Sequence, residues 1–201
     1  MLGSLLIFVG VLALSWDYLV RMKDQIYSDM KIAIMDTLNN DLNTQVVTDV
    51  PVADNVTGDS QEEYYEIDYS QYLGVLEIPK IGLKRGFYGV GSRYNNIQYN
   101  VTMVEGSTLP DVPNGNLILM AHSGDAYISY FAFLYRLGVG DRVYVTYNGV
   151  QYPYEIVNIY EVPKNGIVRI LRNYEKTSLT LVTCTKNNDS SQTVYIAEQV
   201  G

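Results

Sequence analysis

The chain has 201 residues, of which 47% are hydrophobic and 12% aromatic, and its formal net charge at pH 7 is −8. This length is enough for one domain with a buried core, together with additional segments. Nucleic-acid-binding proteins need clustered Lys and Arg, and no such cluster occurs, so we exclude that class. The only cysteine is Cys184, which excludes an internal disulfide bond.

An apolar run over residues 2–14 opens the chain. A helix needs about 20 apolar residues to cross the hydrocarbon core, and this stretch reaches that length only if Asp17 lies at an interface. Trp16 and Tyr18 fit an interfacial aromatic belt. A cleaved signal peptide and a buried helix are the alternatives, but we find neither an A-x-A-like cleavage site nor a basic n-region. We therefore predict an uncleaved membrane anchor over residues 1–20.

Residues 21–71 read as a helical and acidic linker arm. Apolar residues recur at helical spacing over residues 22–43, whereas residues 44–66 are acidic and turn-rich with no sustained period. The acidic residues between positions 59 and 68 indicate a solvated linker. A calcium site is conceivable there, but no ligand spacing supports it, so we expect no cofactor and no metal.

Residues 72–201 carry the patterns of a mostly β domain. Alternating strands flank Asn148-Gly149, the strongest short-range signal for a hairpin turn. Two further strands, at residues 178–184 and 193–200, are joined by a polar stretch that predicts a loop over 185–191. Helical spacing predicts one helix over residues 126–141. Strands separated by turns, with little helix, favour a closed or nearly closed β-barrel.

The only thiol and the only histidine occupy similar places in this pattern. Cys184 ends the apolar run SLTLVTC, and His122 follows the apolar run LILMA. A single free cysteine is more often a small buried hydrophobe than a nucleophile. If the two side chains meet, however, an imidazole can help to activate the thiol and later protonate a leaving amine. Asp125 could orient His122, although a turn or a helix cap is the simpler explanation.

Four blocks of sequence, in order and spacing, resemble the sortases, which are membrane-anchored cysteine transpeptidases of Gram-positive bacteria. The blocks are YLGVLEIPKIGLKRGFYGV, GNLILMAHSG, LGVGDRVYV and SLTLVTCTKNN, and the resemblance covers about residues 72–200. It implies a closed eight-stranded barrel with short helices, preceded by a membrane helix, with the catalytic domain extracellular. It also implies that Cys184 cleaves an LPXTG-like sorting signal through a thioacyl intermediate and that His122 protonates the leaving amine. The acceptor would be an amine of a peptidoglycan precursor or of a pilin.

One departure from the family pattern concerns the arginine that sortases carry at the start of the last strand. Gln192 stands at that position, and no arginine follows Cys184. A glutamine can donate a hydrogen bond to an oxyanion but brings no charge, and the loss of one donor costs on the order of 10²–10³ in rate. Lys186, Arg169 or Arg172 could substitute from another loop.

The resemblance also identifies three apolar residues that would pack against the sorting signal: Val182, Ile167 and Val168. Two alternatives to a transpeptidase stay open at this point. The chain could be a catalytically impaired, sortase-like peptide-binding module, or a hydrolytic cysteine peptidase that gives the acyl group to water.

Overall fold

A computed structural model describes residues 72–126 and 128–201 of the chain, together with residues 10, 16, 19, 22, 23, 26 and 29–32 of the N-terminal segment. The domain over residues 72–201 contains eight strands and two short 3₁₀ helices. The strands are β1 (Gly74–Ile78), β2 (Leu83–Tyr88), β3 (Val101–Met103), β4 (Asn116–Met120), β5 (Arg142–Tyr147), β6 (Val150–Pro163), β7 (Ser178–Thr185) and β8 (Asn188–Gln199). The 3₁₀ helices cover Pro79–Ile81 and Leu134–Arg136.

The strands form a closed barrel in the order β1-β2-β3-β4-β7-β8-β6-β5. Most neighbours are antiparallel, but β4 runs parallel to β7, with Asn116 paired to Ser178 and Met120 paired to Val182. Closure leaves the barrel without an unpaired sheet edge. The predictions of a mostly β domain and of a closed eight-stranded barrel are confirmed.

Alternating residues of the central strands face either the barrel interior or its outer surface. Leu179 and Leu181 of β7 belong to the interior core, and both are at most 1% exposed. Val182, between Leu181 and the end of the strand, packs outward instead, against Val194 and Ile196 of β8. This alternation is the period of two expected of an extended chain, and it decides which side chains of β7 reach the outer surface.

The hairpin predicted at Asn148-Gly149 is confirmed. Tyr147 of β5 pairs with Val150 of β6, and the two turn residues have φ values of 48° and 73°. Asn-Gly is favoured here because both positions of this turn need a positive φ.

Two local predictions are wrong. The helix expected over residues 126–141 is replaced by successive turns and the 3₁₀ helix Leu134–Arg136. Its backbone bonds connect residues three apart, such as Leu134 N–H to the Phe131 carbonyl and Leu137 N–H to the Leu134 carbonyl. The loop expected over 185–191 is also shorter than predicted, because β8 begins at Asn188.

The described residues of the N-terminal segment are helical, and two of them contact the barrel. Ile32 is buried in a small cluster with Tyr72, Val75 and Tyr88, and Lys31 Nζ donates a 2.7 Å hydrogen bond to the Tyr88 hydroxyl. Most of the predicted anchor over residues 1–20 lies outside the described residues. Where the chain is described, no helix has the length and apolar character needed to cross a membrane.

Candidate active site

The parallel pairing of β4 and β7 brings the only histidine and the only thiol to the same end of the barrel. Met120 and Val182 are paired, and His122 and Cys184 each lie two residues further along the chain. Neighbouring strands are about 4.8 Å apart, so His122, just past the end of β4, and Cys184, near the end of β7, lie at the same level. Cys184 is partly exposed, as a reaction with an incoming peptide requires.

Two hydrogen bonds fasten the ends of β4 and β7 to each other around these residues. The Ser123 hydroxyl donates to the Cys184 carbonyl at 2.7 Å, and the buried Thr183 hydroxyl donates to the Ala121 carbonyl at 2.8 Å. Each bond connects the neighbour of one reactive residue to the other strand. Together they restrict the position of His122 relative to Cys184.

An irregularity in the ladder lies directly beside Cys184. Cys184 pairs with Gln192, but the next residue, Thr185, pairs with Asn188. Residues 189–191 therefore have no partners in β7. Bulges of this kind interrupt pairing and redirect side chains, and they are common next to active sites.

His122 and Cys184 line one cavity of about 690 Å³. Its walls come from the segment after β4 and from the β7–β8 turn, and its other lining residues are Ser123, Gly124, Asp125, Ala126, Ser129, Ala132, Phe133, Tyr135, Thr185, Lys186, Asn187 and Asp189. Asp125 thus lies in the same cavity as His122. In the described part of the chain, no three His, Cys, Asp or Glu side chains are grouped so that they could hold a metal ion.

Tyr135 and Lys186 form a pair at the wall of this cavity. Lys186 Nζ lies 3.4 Å from the centroid of the Tyr135 ring, a cation–π arrangement. A hydrogen bond from Arg136, and then one from Lys186, lower the pKa of Tyr135 below its ordinary value. The Tyr135 ring therefore restrains the ammonium group of Lys186 at this wall.

Gln192 lies opposite Cys184 in the β7–β8 ladder, which puts the two side chains on the same face of the sheet. The described hydrogen bond to the Cys184 sulfur comes neither from His122 nor from Gln192. It comes from Lys164, whose Nζ lies 3.5 Å from Sγ. A lysine that the sequence analysis did not consider therefore places its ammonium group within 3.5 Å of this sulfur.

Of the two arginines considered as substitutes, Arg172 is engaged elsewhere. The Arg172 guanidinium donates to the carbonyls of Asn114, Gly115 and Lys176, near the start of β7 and far from Cys184. The Arg169 carbonyl accepts a 2.8 Å hydrogen bond from the Tyr160 hydroxyl, which fixes the backbone of the β6–β7 segment.

An apolar cluster lies on the outer face of the barrel, on the same face of the sheet as Cys184. Val182, Val194 and Ile196 are buried there, and the partly buried residues packed against them are Ile118, Met120, Tyr160, Val162, Val168 and Ile170. Two of the three predicted substrate contacts, Val182 and Val168, belong to this outer cluster. The third, Ile167, is 75% exposed and outside it.

Three residues of the site escaped the sequence analysis: Ser123, Thr183 and Lys164. Ser123 is adjacent to His122 and Thr183 to Cys184, so their place in the sequence was the only signal that could have identified them. Lys164 carries no local signal, because 20 residues separate it from Cys184 and only the fold brings them together.

Comparisons with known proteins agree with this geometry. A family model described as "Sortase domain" matches residues 76–200. Sortase A of Bacillus anthracis is 24% identical over 131 residues, which are 65% of this chain and 60% of that protein. The chain thus spans about 60% of the length of the curated relative it matches.

Solved structures of sortases share the fold. A sortase D5 transpeptidase from Clostridium perfringens is 24% identical, with a TM-score of 0.57 over 68% of this chain and 83% of that one. Sortase C1 from Streptococcus agalactiae is 26% identical, with a TM-score of 0.57 over 65% and 69% of the two chains. Sortase A from Corynebacterium diphtheriae is 20% identical, with a TM-score of 0.58 over 94% and 95%. Since the family model covers more than half of the chain, this protein belongs to the sortase family, whose members are cysteine transpeptidases.

Proposed function

We propose that this chain is a cysteine transpeptidase that cleaves an LPXTG-like sorting signal and transfers the new carboxyl end to an amine at the cell surface. One observation supports the proposal above all others. His122 follows β4 and Cys184 lies near the end of β7, at the same level of two paired parallel strands, and both residues line one cavity. A nucleophile, a proton donor and space for a peptide are then available at one place.

In the first half of the reaction, the Cys184 thiolate attacks the carbonyl carbon of the scissile peptide bond. A C–S bond forms and the carbonyl electron pair moves to oxygen, which gives a tetrahedral oxyanion. The oxyanion collapses, the C–N bond breaks, and the leaving amine takes a proton from the His122 imidazolium. A thioester on Cys184 and a neutral His122 remain.

In the second half, an acceptor amine attacks the thioester carbon. It gives its proton to the neutral His122 imidazole, the C–S bond breaks, and the electron pair returns to sulfur. The products are a new amide, the Cys184 thiolate and the His122 imidazolium, so both residues return to their starting states. The outer cluster, with Val182 and Val168, would hold the apolar part of the signal before the attack.

The cellular setting is part of the proposal. The apolar segment at residues 1–20 would anchor the protein in the membrane as a single-pass protein, with the catalytic domain outside the cell. Surface proteins with a sorting signal would be the donors, and a peptidoglycan precursor or a pilin lysine would be the acceptor.

Product analysis tests this function. A panel of fluorogenic sorting-signal peptides is incubated with the protein, with and without an added amine such as triglycine. We expect the cleaved peptide to carry the amine when the amine is present. Cleavage that always yields the free acid would identify a hydrolytic peptidase, and no cleavage of any peptide would contradict the proposal.

A second candidate, a peptide-binding module with impaired turnover, is favoured by the uncharged Gln192 opposite Cys184. Fluorescence anisotropy with the same peptides separates it from the first. Binding without cleavage, followed by a large gain of turnover in Gln192→Arg, would identify an impaired enzyme.

A further inference from the structure

The contact between Lys164 and Cys184 places a flexible cation at the one thiol of the chain. Lys164 Nζ is 3.5 Å from Sγ, and the lysine is exposed at the end of β6. A thiolate and a tetrahedral oxyanion are both negative, and both arise at or next to this sulfur. A cation at this distance favours both.

The fold fixes the base of the Lys164 side chain even though its tip is exposed. The Lys164 N–H donates to the Ser190 carbonyl at 2.8 Å, next to the pair Pro163–Ser191. The β6–β8 ladder therefore continues to Lys164. Ser190 itself belongs to the irregular stretch of β8 that has no partner in β7, so this stretch holds the lysine beside the site.

The direction of the Lys164 side chain follows from the register. Cys184 pairs with Gln192, and Gln192 pairs with Val162, so these three residues form one row across β7, β8 and β6. Val162 packs in the outer cluster, and Lys164, two residues further on, extends from the same face of the strand. Its long side chain reaches over the β8 strand to the sulfur. The uncharged Gln192 is the β8 residue of this row, between Cys184 of β7 and Val162 of β6.

We propose that Lys164 is a catalytic residue that supplies the positive charge at Cys184, an inference that rests on the function proposed above. Lys164 would take the role that the arginine at the position of Gln192 has in other sortases. The lysine acts through its charge. It gives no proton to the leaving amine, which receives its proton from His122. Its ammonium group stabilises the Cys184 thiolate before the attack and the carbonyl oxygen after it.

The charge at the sulfur is measured without any peptide substrate. Cys184 is alkylated with iodoacetate, which is negative, and with iodoacetamide, which is neutral. Both reagents consume the thiolate, so the ratio of the two rates reports the local charge and not the amount of thiolate. Two unit charges about 4 Å apart in water interact by about 1 kcal/mol, which is about fivefold in rate.

Three variants complete the alkylation experiment. Lys164→Met keeps an unbranched side chain only one atom shorter but removes the charge, and we expect its preference for iodoacetate to fall about fivefold. Lys164→Arg keeps the charge and the preference. The matched control is Lys176→Met, the same change in the same β6–β7 segment. Lys176 precedes β7, in which the six steps from Ser178 to Cys184 span about 20 Å, so this control should leave the preference unchanged.

Turnover of a sorting peptide then separates a catalytic role from mere proximity. We expect Lys164→Met to lower kcat/KM on the order of 10²-fold, and Lys164→Arg to keep most of it. Gln192→Arg should add little to the wild-type protein. In the Lys164→Met background, Gln192→Arg should restore most of the lost turnover, because either cation would stabilise the same negative charge.

The outcomes are distinct. An unchanged iodoacetate preference in Lys164→Met overturns the inference, and so does a lower preference with full turnover. If the wild-type protein turns over no sorting peptide, the proposed function fails. The ratio of the two alkylation rates then decides by itself whether Lys164 supplies a positive charge at the Cys184 sulfur. Circular dichroism confirms that each variant is folded.

Discussion

The two faces of β7 carry different kinds of side chain for different purposes. On the inner face, Leu179 and Leu181 are buried in the barrel core beside Tyr195, whose pKa burial raises to about 12. The outer face ends at the partly exposed Cys184. At the wall of the adjoining cavity, hydrogen bonds from Arg136 and Lys186 lower the pKa of Tyr135. The inside of the barrel is thus lined by buried apolar side chains, whereas the cavity at the rim beside Cys184 is lined by polar and charged ones.

Under the proposed function, this difference lets one strand serve stability on its inner face and chemistry on its outer face. The inner side chains fix the strand by excluding water, and a rigid strand positions a reactive group better than a loop does. The outer face then needs only a few reactive side chains, at the end of the strand. The predictions below test whether the two faces are as separate as this comparison implies.

The largest effect is expected from Cys184→Ala on the outer face. This change should abolish transfer of a sorting peptide to an amine, because no other thiol exists in the chain. The side chain is partly exposed and outside the core, so the urea unfolding midpoint should stay within experimental error. Peptide turnover and urea titration measure the two properties. Substantial residual turnover would mean that the nucleophile lies elsewhere.

On the inner face, Leu179→Ala should do the opposite. Leu179 is fully buried in the core, so its truncation should lower the free energy of unfolding by about 2–5 kcal/mol, measured by urea denaturation. Turnover per folded molecule should change little. Val182→Ala on the outer face is the matched comparison: Val182 is also buried, so this change should lower the stability as well, but it should in addition raise KM for the peptide. If Leu179→Ala alters KM as strongly, the two faces are coupled.

Thr183→Val tests a hydrogen bond that joins the end of β7 to the end of β4. Thr183 donates to the Ala121 carbonyl, next to His122, and the loss of this buried bond should cost about 1–2 kcal/mol of stability. It should also lower kcat, because His122 loses part of its support.

Thr180→Val is the control for this prediction. Thr180 donates an equally buried bond to Asn116 Oδ1 at 2.9 Å, but it lies four residues before Cys184. Its loss should lower stability with no change in kcat per folded molecule. Equal effects of the two variants on kcat would refute a positioning role for Thr183.

The smallest effect is expected at Asp141, far from the site. A hydrogen bond from Lys80, and then one from the Gly138 N–H, lower the pKa of this carboxyl from 3.8. Since the folded pKa is the lower one, the carboxylate stabilises the fold above the unfolded pKa, and the contribution is lost as the pH falls through the folded pKa.

Asp141→Asn should therefore be slightly less stable than the wild-type protein at pH 7, and the difference should shrink on acidification and in high salt. Urea titrations at pH 7 and at low pH give the comparison, with turnover at pH 7 as the control. A difference that persists unchanged at low pH would exclude the carboxylate as its cause.

The sequence predicted those features whose signal is local. The hairpin at Asn148-Gly149 followed from turn chemistry, and the end-of-strand positions of His122 and Cys184 followed from the apolar runs before them. The predicted helix over residues 126–141 failed because 3₁₀ turns also bury residues three apart, as Phe131, Leu134 and Leu137 are buried here.

Features that depend on strand pairing could not be predicted in this way. The contact of Lys164 with Cys184 arises because β6 and β7 both pair with β8, and the irregular register at Cys184 is visible only in the ladder. The sequence analysis considered Lys186, Arg169 or Arg172 as substitutes for the arginine of the family. The fold instead brought the cation from the end of β6.

The most direct measurement of the central claim is mass spectrometry of the protein after brief incubation with a sorting-signal peptide. We predict an added mass equal to the acyl part of the peptide, located on the fragment that contains Cys184, removed by a primary amine and absent from Cys184→Ala. An adduct on another residue, or cleavage of the peptide with no adduct on Cys184 at any time point, would contradict the account.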